Sequence, residues 1–428
     1  MNGGLSMVEM KSGYKMTEVG VIPEDWEVCE LRNHLVLLTD YDANGSFADM
    51  ASNVVTTTGN GYAWYVRATD LEQQSSLSEV KYVDEKSYRF LRKSTLYGGE
   101  VLLAKRGEIG KVYYFQMKTK RATLAPNLSL LKLKDTINSY FLFSLFKSTF
   151  GQNLLKSINA STSLGAIYKD DVKGLNILIP PFEEQASIAT ALSDVDSLIS
   201  ALTKKIEKKK AIKQGLMQQL LTGKKRLPGF NDKWKSMLLG DIAEVKDGTH
   251  QTPQYVKSGG KPFYSVENVT ADDFKNVKHI SLEEHKALTS NYRIEKGDVL
   301  MTRIGSIGCC KYVDWDVDAS FYVSLALLKI NEKYDSKFIS YLSNIKSFKE
   351  EVMLNSLVFA IPQKINLGNI SLIKVYIPTS KAEQTAIANI LSDCDSEIAA
   401  LEEKRDKYKE IKQGMMQQLL TGKIRLIK

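Results

Sequence analysis

The 428-residue sequence predicts an α+β fold made of one unit repeated in tandem. Each unit is an α/β body followed by a long helix, and the two helices pair as an antiparallel coiled coil about a pseudo-two-fold axis. Three observations carry this. Residues 184–227 read EQASIATALSDVDSLISALTKKIEKKKAIKQGLMQQLLTGKKRL and residues 383–426 read EQTAIANILSDCDSEIAALEEKRDKYKEIKQGMMQQLLTGKIRL. They are about two-thirds identical at a spacing of about 199 residues, which chance does not produce. Both carry a heptad seam: Ile188, Leu192, Val195, Ile199, Leu202 and Ile206 in the first, Ile387, Leu391, Cys394, Ile398 and Leu401 in the second. Upstream of each lie short β-rich runs divided by glycine turns.

Taken in order, residues 1–180 form the first body. Strands are expected at 62–67, 100–103, 111–115, 128–133 and 176–179, and a helix at 139–155. Residues 181–225 are the first helical spacer. The dipeptide Ile179-Pro180 stops a strand and allows a helix to start just after it. Gly223 suits a left-handed cap at the helix end. The second body, 226–379, repeats the plan with strands at 262–266, 298–301, 311–313, 321–330 and 372–377 and a helix at 336–353. Residues 380–428 are the second spacer, entered through Ile377-Pro378 and closed at Gly422. Weaker matches tie the bodies together: Gly99-Glu100-Val101-Leu102-Leu103 with Gly297-Asp298-Val299-Leu300-Met301, Ile109-Gly110 with Ile307-Gly308, and Trp26 with Trp234. At about 1.5 Å per residue, 38 helical residues span roughly 57 Å. A helix with one apolar seam needs a partner. The other copy is the nearest one, and a two-fold across the pair makes it antiparallel; the alternative is that each helix packs on its own body.

Composition narrows the function. Lys and Arg number 58 against 50 Asp and Glu, a net charge of +8, which mildly favours an anionic partner such as nucleic acid. No apolar run approaches the ~20 residues of a membrane span, and no secretory signal is visible, so a cytoplasmic chain is expected. Cys29, Cys309, Cys310 and Cys394 have no CxxC spacing, and the four histidines have no ligand spacing, so no metal is expected. No phosphate cradle and no GxGxxG loop occur. The run IPPF at 179–182 has isoleucine where an adenine methyltransferase needs a hydrogen-bonding residue. A carboxylate pattern of Asp273, Glu284 and Lys286 resembles a nuclease only nominally. The residues describe a binding protein with no catalytic site of its own.

The chain closely resembles the specificity (S) subunit of type I restriction–modification enzymes. The residues that carry the resemblance are VGVIPEDWEV (19–28), the EQ-x-x-I-A-x-x-LSD-x-D helix starts, the IKQGxMQQLLTGK ends, LPGF (227–230) and DGTH (247–250). The resemblance implies that each body is a target recognition domain reading half of a split sequence in double-stranded DNA. It implies that the paired helices set the spacing and bind two methyltransferase (M) subunits. Those partners would bring S-adenosylmethionine and methylate adenine, and motor-nuclease (R) subunits would complete the enzyme. No cofactor is expected in this chain. The first body lacks a DGTH run, which leaves its first DNA-facing loop unplaced.

DNA contact needs cations for phosphates and forked or amide side chains for base edges. Candidates in the first body are Arg67, Lys105, Arg106, Lys111, Lys118, Lys120, Arg121 and Asn127, with the polar run 159–163 as a loop near DNA. In the second body they are Thr249, His250, Gln251, Thr252, Lys257, Arg303, Lys311 and Asn355. Arg303 aligns with Lys105, and both follow a strand. Tyr62, Trp64, Tyr65 and Tyr264 read as packing residues. The lysine-rich stretch 204–210 reads as a solvated helix face. Met217, Gln218, Gln219, Met416, Gln417 and Gln418, held in both copies, are assigned to helix pairing or to methyltransferase docking. The competing reading is a coiled-coil interaction scaffold with two adaptor domains and no DNA role.

Overall fold

The computed structural model describes residues 12–106, 110–159, 165–357 and 359–426. The chain forms two compact units, one of residues Met1–Leu202 with Lys404–Lys428, the other of residues Thr203–Glu403. This division cuts across the chain-order boundaries at 180, 225 and 379. Each long helix contributes its first half to the unit of its own body and its second half to the other unit.

In the first unit, Leu35–Asp40, Leu128–Leu133, Val101–Ala104 and Val112–Tyr114 form a four-stranded antiparallel sheet. A five-stranded sheet carries Ala122–Leu124 parallel to Ala63–Val66. The second unit repeats the plan. Ala243–Asp247, Leu325–Ile330, Val299–Thr302 and Cys310–Tyr312 form the antiparallel sheet. In the other four-stranded sheet Lys261–Tyr264 runs parallel to Ser320–Phe321. The expected single strand 321–330 is therefore two strands, belonging to different sheets. Side chains alternate across a strand. Val101 and Leu103 enter the cluster that also holds Trp26 and Ile188, while Leu102 enters the cluster around Trp64. Val299 and Met301 against Leu300 divide likewise. Burial on both faces explains why the strands read as unbroken apolar runs rather than alternating ones.

The expected helix 139–155 is two helices, Ser139–Lys147 and Thr149–Ser157. Ser148 ends the first and caps the second, its hydroxyl accepting from Gly151 N at 3.2 Å. The backbone passes so close there that a Cβ on Gly151 would lie 2.1 Å from Leu145 O. The helix expected at 336–353 breaks the same way, into Ser336–Leu342 and Lys346–Leu354.

The two long helices, Phe182–Leu220 and Lys381–Leu419, have 39 residues each, about 58 Å at 1.5 Å per residue. They run antiparallel in each unit. In the first, Lys412 Nζ meets Asp196 Oδ1 at 2.7 Å; in the second, Lys213 pairs with Asp395. These are equivalent pairs under the repeat, and a tyrosine donates to each of the two aspartates, Tyr140 at 2.5 Å and Tyr341 at 2.7 Å, from positions one helical turn apart in the two copies. The two readings of the helices merge: Ile188 and Leu192 pack on their own body in the cluster that also receives Leu419 and Leu420 from the other helix. Lys209 and Lys210 bind Glu397 and Glu402 at 2.7 Å, so the lysine-rich stretch is a solvated face whose edge forms an ion-pair seam with the other helix. The charge difference between the copies is what makes the helices complementary. Gly223 and Gly422 sit at φ +69° and +70°, and the amides of Lys225 and Ile424 each donate at 3.1 Å to the carbonyl six residues back, the expected left-handed cap.

A buried glutamate locks the end of one helix to the start of the other in each unit. Glu184, fully buried, accepts from Trp26 Nε1 at 2.9 Å and from Arg425 Nε at 2.7 Å; Arg425 also reaches Asp25 at 2.7 Å. Glu383, also fully buried, accepts from Arg226 Nε at 2.6 Å and Nη2 at 2.7 Å, with Trp234 Nε1 at 3.4 Å.

Candidate nucleic-acid interface

Each unit ends one edge strand of its antiparallel four-stranded sheet in an aspartate that organises a polar turn. In the second unit the residue is Asp247, and the turn is DGTH. Asp247 Oδ1 binds Arg303 Nη1 at 2.5 Å, and Oδ2 lies 2.8 Å from His250 Nε2. Gly248 is required by close approach, since a Cβ there would lie 2.5 Å from Tyr322 carbonyl atoms. Thr249 N donates to Phe321 O at 3.1 Å, and Val323 N to Thr249 O at 2.9 Å, which pins the turn to the neighbouring strand end. Tyr292 donates its hydroxyl to Asp247 O; burial and the Asp247 charge push that hydroxyl up, so it stays a donor. The side chains of His250, Gln251 and Thr252 are left exposed.

The first unit places Asp40 at the same strand end. Asp40 Oδ2 binds Lys105 Nζ at 3.0 Å and Oδ1 binds Lys169 Nζ at 2.8 Å, while Lys105 also pairs with Asp42. Burial alone would raise the Asp40 carboxyl, but Lys169 and Lys105 outweigh it and hold the group below its usual range. The turn that follows, 41–45, is thus the counterpart of DGTH that the sequence did not reveal. The signal was present as Asp40 closing the β-run LVLLTD.

The repeated cation after the strand is accordingly a turn holder. Arg303 is buried, with Nε donating to Ile365 O at 3.2 Å beside the Asp247 pair. The alignment of Arg303 with Lys105 reflects this shared anchoring. Replacing Arg303 with Ala should lower the stability of the second unit by about 2 kcal/mol, because it strips a charged hydrogen bond from Asp247; Arg303→Lys should restore most of it. Chemical denaturation checks both, and equal stability of all three proteins would refute the anchoring role.

Other candidates are also held within their units. Arg67 binds Asp70 at 2.5 Å, Lys111 binds Glu72 at 2.9 Å, and Lys311 binds Asp272 at 2.5 Å. Asn355 donates to Glu351 O at 2.8 Å and closes a helix end. Asn127, exposed at φ +71°, shapes the turn before its strand and accepts Lys105 N through its carbonyl at 2.9 Å. Arg121 lies over the Tyr62 ring, 4.4 Å from its centroid. Arg106, Lys118, Lys120 and Lys257 are exposed. Trp64, Tyr65 and Tyr264 are buried. Residues 160–163 of the run 159–163 lie outside the described residues. Of the nuclease-like pattern, Asp273 accepts from the Lys275 and Asn276 amides, and between Glu284 and Lys286 the buried His285 sits between Ser320 and Asp318 at 2.9 Å each. Among the described residues no group of His, Cys, Asp or Glu is placed to hold a metal ion, and no helix is long and apolar enough to cross a membrane.

A sequence profile described as "Type I restriction modification DNA specificity domain" matches the chain twice, over residues 23–214 and 231–413. The chain belongs to this family. A protein of Methanocaldococcus jannaschii named as the MjaX type I restriction enzyme specificity subunit is 29% identical, covering 97% of each chain. The MjaVIII specificity subunit of the same organism is 24% identical over 95% of this chain and 94% of its own. The crystal structure of the type I restriction–modification S subunit from M. genitalium superposes with a TM-score of 0.62 at 16% identity, covering 92% of this chain and 96% of that one.

The helices of this specificity-family chain display a second repeated surface. Asp194, Ser197, Ala201, Lys205, Lys208 and Ile212 are exposed and fall at heptad steps along the first helix. Their counterparts Asp393, Ser396, Ala400, Lys404, Lys407 and Ile411 are identical and equally exposed. Nothing in the fold requires that identity on an outward face. At the helix ends the Met and Gln residues divide by role. Met217 and Met416 pack on the cores of their units, whereas Gln218, Gln219 and Gln417 are exposed and Gln418 is half-buried. In the second unit Met217, Gln218 and Leu221 join Phe348, Leu354 and Tyr376 around a groove of about 1610 Å³.

Proposed function

We propose that this chain is the DNA-recognition subunit of a type I restriction–modification enzyme, reading a bipartite, gapped sequence with one half-site per unit. The observation that carries the reading is the aspartate-anchored polar turn built at the same strand end in two otherwise diverged bodies. The exposed His250, Gln251 and Thr252 offer the hydrogen-bonding groups that base edges need, and Arg106, Lys118, Lys120 and Lys257 the cations that phosphates need. The exposed helix stripes, identical in both copies, serve two methyltransferase subunits, and the glutamines at the helix ends extend that docking surface. Those partners bring S-adenosylmethionine and methylate adenine, motor-nuclease subunits join for restriction, and this chain supplies no catalytic group. It works in the cytoplasm, where the DNA and these partners are.

A filter-binding salt titration of the complex with its methyltransferase tests the reading. Log affinity should fall linearly with log salt at a slope of about −5 or steeper, corresponding to six or more neutralised phosphates. Binding that ignores salt, or fails to occur, would favour a protein scaffold. Methylome mapping with and without the gene then gives the sequence read.

A further inference from the structure

The hairpin beside Arg303 presents apolar side chains outward. Its stem is tied to the strand end: Gly305 N donates to Gln363 O at 2.8 Å, Ile365 N donates to Arg303 O at 2.9 Å, and Lys364 bridges both Ile304 and Leu357. Beyond the stem Phe359 and Ile361 are each 99% exposed, and Leu354, the last residue of the preceding helix, is 77% exposed. Single exposed apolar residues are ordinary, but a cluster this bare on a tethered hairpin marks a contact surface.

Three features identify what covers it. The stem is fastened to Arg303, whose guanidinium holds Asp247 and with it the DGTH turn, so hairpin and turn share one anchor. The hairpin closed by Leu357 and Lys364 carries no Asp or Glu in its sequence, and Lys364 stands in its stem, which suits a polyanion. Bare Phe and Ile side chains are the kind that proteins insert between base pairs, opening the stack. A base that is to be modified must leave that stack. We propose that Phe359 and Ile361 form a wedge that enters the base stack of the half-site read by the second unit and holds the gap left by the extruded adenine. This rests on the reading of the chain as a DNA-recognition subunit. In the first copy the matching stretch, 160–164, reads ASTSL and has no aromatic residue, so the wedge acts at one half-site only.

The test uses the complete complex of this chain with its methyltransferase and duplexes carrying 2-aminopurine at the target adenine of one half-site or the other. With the wild-type complex, fluorescence rises as the base leaves the stack. The double variant Phe359→Ala, Ile361→Ala should lose most of that rise at the second unit's half-site, and methylation there, measured on the unmodified adenine duplex because 2-aminopurine has no 6-amino group to methylate, should slow roughly tenfold. Filter binding should change by less than about threefold, because the phosphate contacts remain. The other half-site should behave as wild type, and Phe359→Trp, which keeps a ring, should retain both signals. Unchanged fluorescence and methylation at that half-site would overturn the wedge. So would equal losses at both half-sites, a selective loss of binding, or a complex that no longer assembles, the last meaning that the hairpin touches protein. A wild-type complex that binds no specific DNA would instead bring down the reading on which the wedge rests.

Discussion

Arg425→Ala should destabilise the first unit by about 3 kcal/mol, because it strands the Glu184 carboxylate, fully buried, with Trp26 as its remaining partner. The loss belongs to the broken pair more than to any net attraction, since removing one partner of a buried ion pair leaves an uncompensated charge. Glu184→Gln added to Arg425→Ala should therefore recover part of the stability, as the amide still offers Trp26 an acceptor and carries no charge. Arg425→Lys should fall between, having lost the forked geometry that reaches both Glu184 and Asp25. Arg226→Ala should do to the second unit what Arg425→Ala does to the first, through Glu383. Hydrogen exchange followed by mass spectrometry locates the damage: amides of Leu35–Asp40 and Asn176–Ile179 for Arg425, those of Ala243–Asp247 and Lys374–Pro378 for Arg226. Loss of protection spread evenly over both sets would contradict the assignment.

The second large effect concerns spacing. Four residues inserted in each long helix, between Lys204 and Lys205 and between Glu403 and Lys404, add about 6 Å, close to two base pairs of DNA, and nearly one helical turn. The seam keeps its facing to within about 40°, and the ion pairs Lys412–Asp196 and Lys213–Asp395 stay in register on their own sides of the insertion. The half-site sequences should remain the same while the unspecified gap widens by one or two base pairs. A two-residue insertion turns the seam by about 200° and should abolish activity. Mapping methylated sites decides the matter: an active four-residue variant with an unchanged gap would end the idea that the helices measure distance, and altered half-sites would end the idea that the bodies read sequence.

Much of this architecture was legible in the sequence, for a physical reason. Helices with a fixed seam advertise themselves by period, and the duplication supplied a second copy against which Glu184, Trp26 and Arg425 could be matched with Glu383, Trp234 and Arg226. The left-handed caps at Gly223 and Gly422 followed from residue type alone. What failed did so where position depends on neighbours far along the chain. Ser148 divides a helix because Gly151 lies against the preceding turn, a contact that no local pattern shows. Lys105, Lys111, Arg303 and Lys311 read as free cations because their carboxylates, Asp40, Glu72, Asp247 and Asp272, lie between 39 and 65 residues away. Asp40 escaped notice because the turn after it shares no residues with DGTH, although the strand end does the same work.

The exchange of helix ends also orders how the chain matures. Residues 203–403 are contiguous and contain everything their unit needs, including Arg226 and Glu383. The other unit begins with residues synthesised before these and is finished by residues synthesised after them, since Leu419, Leu420 and Arg425 close its core around Trp26 and Glu184. The part synthesised first is the part completed last. While residues 203–403 are being made it must wait with an open apolar seam and an unanswered buried glutamate, which makes it the stretch most dependent on chaperones and most exposed to misassembly.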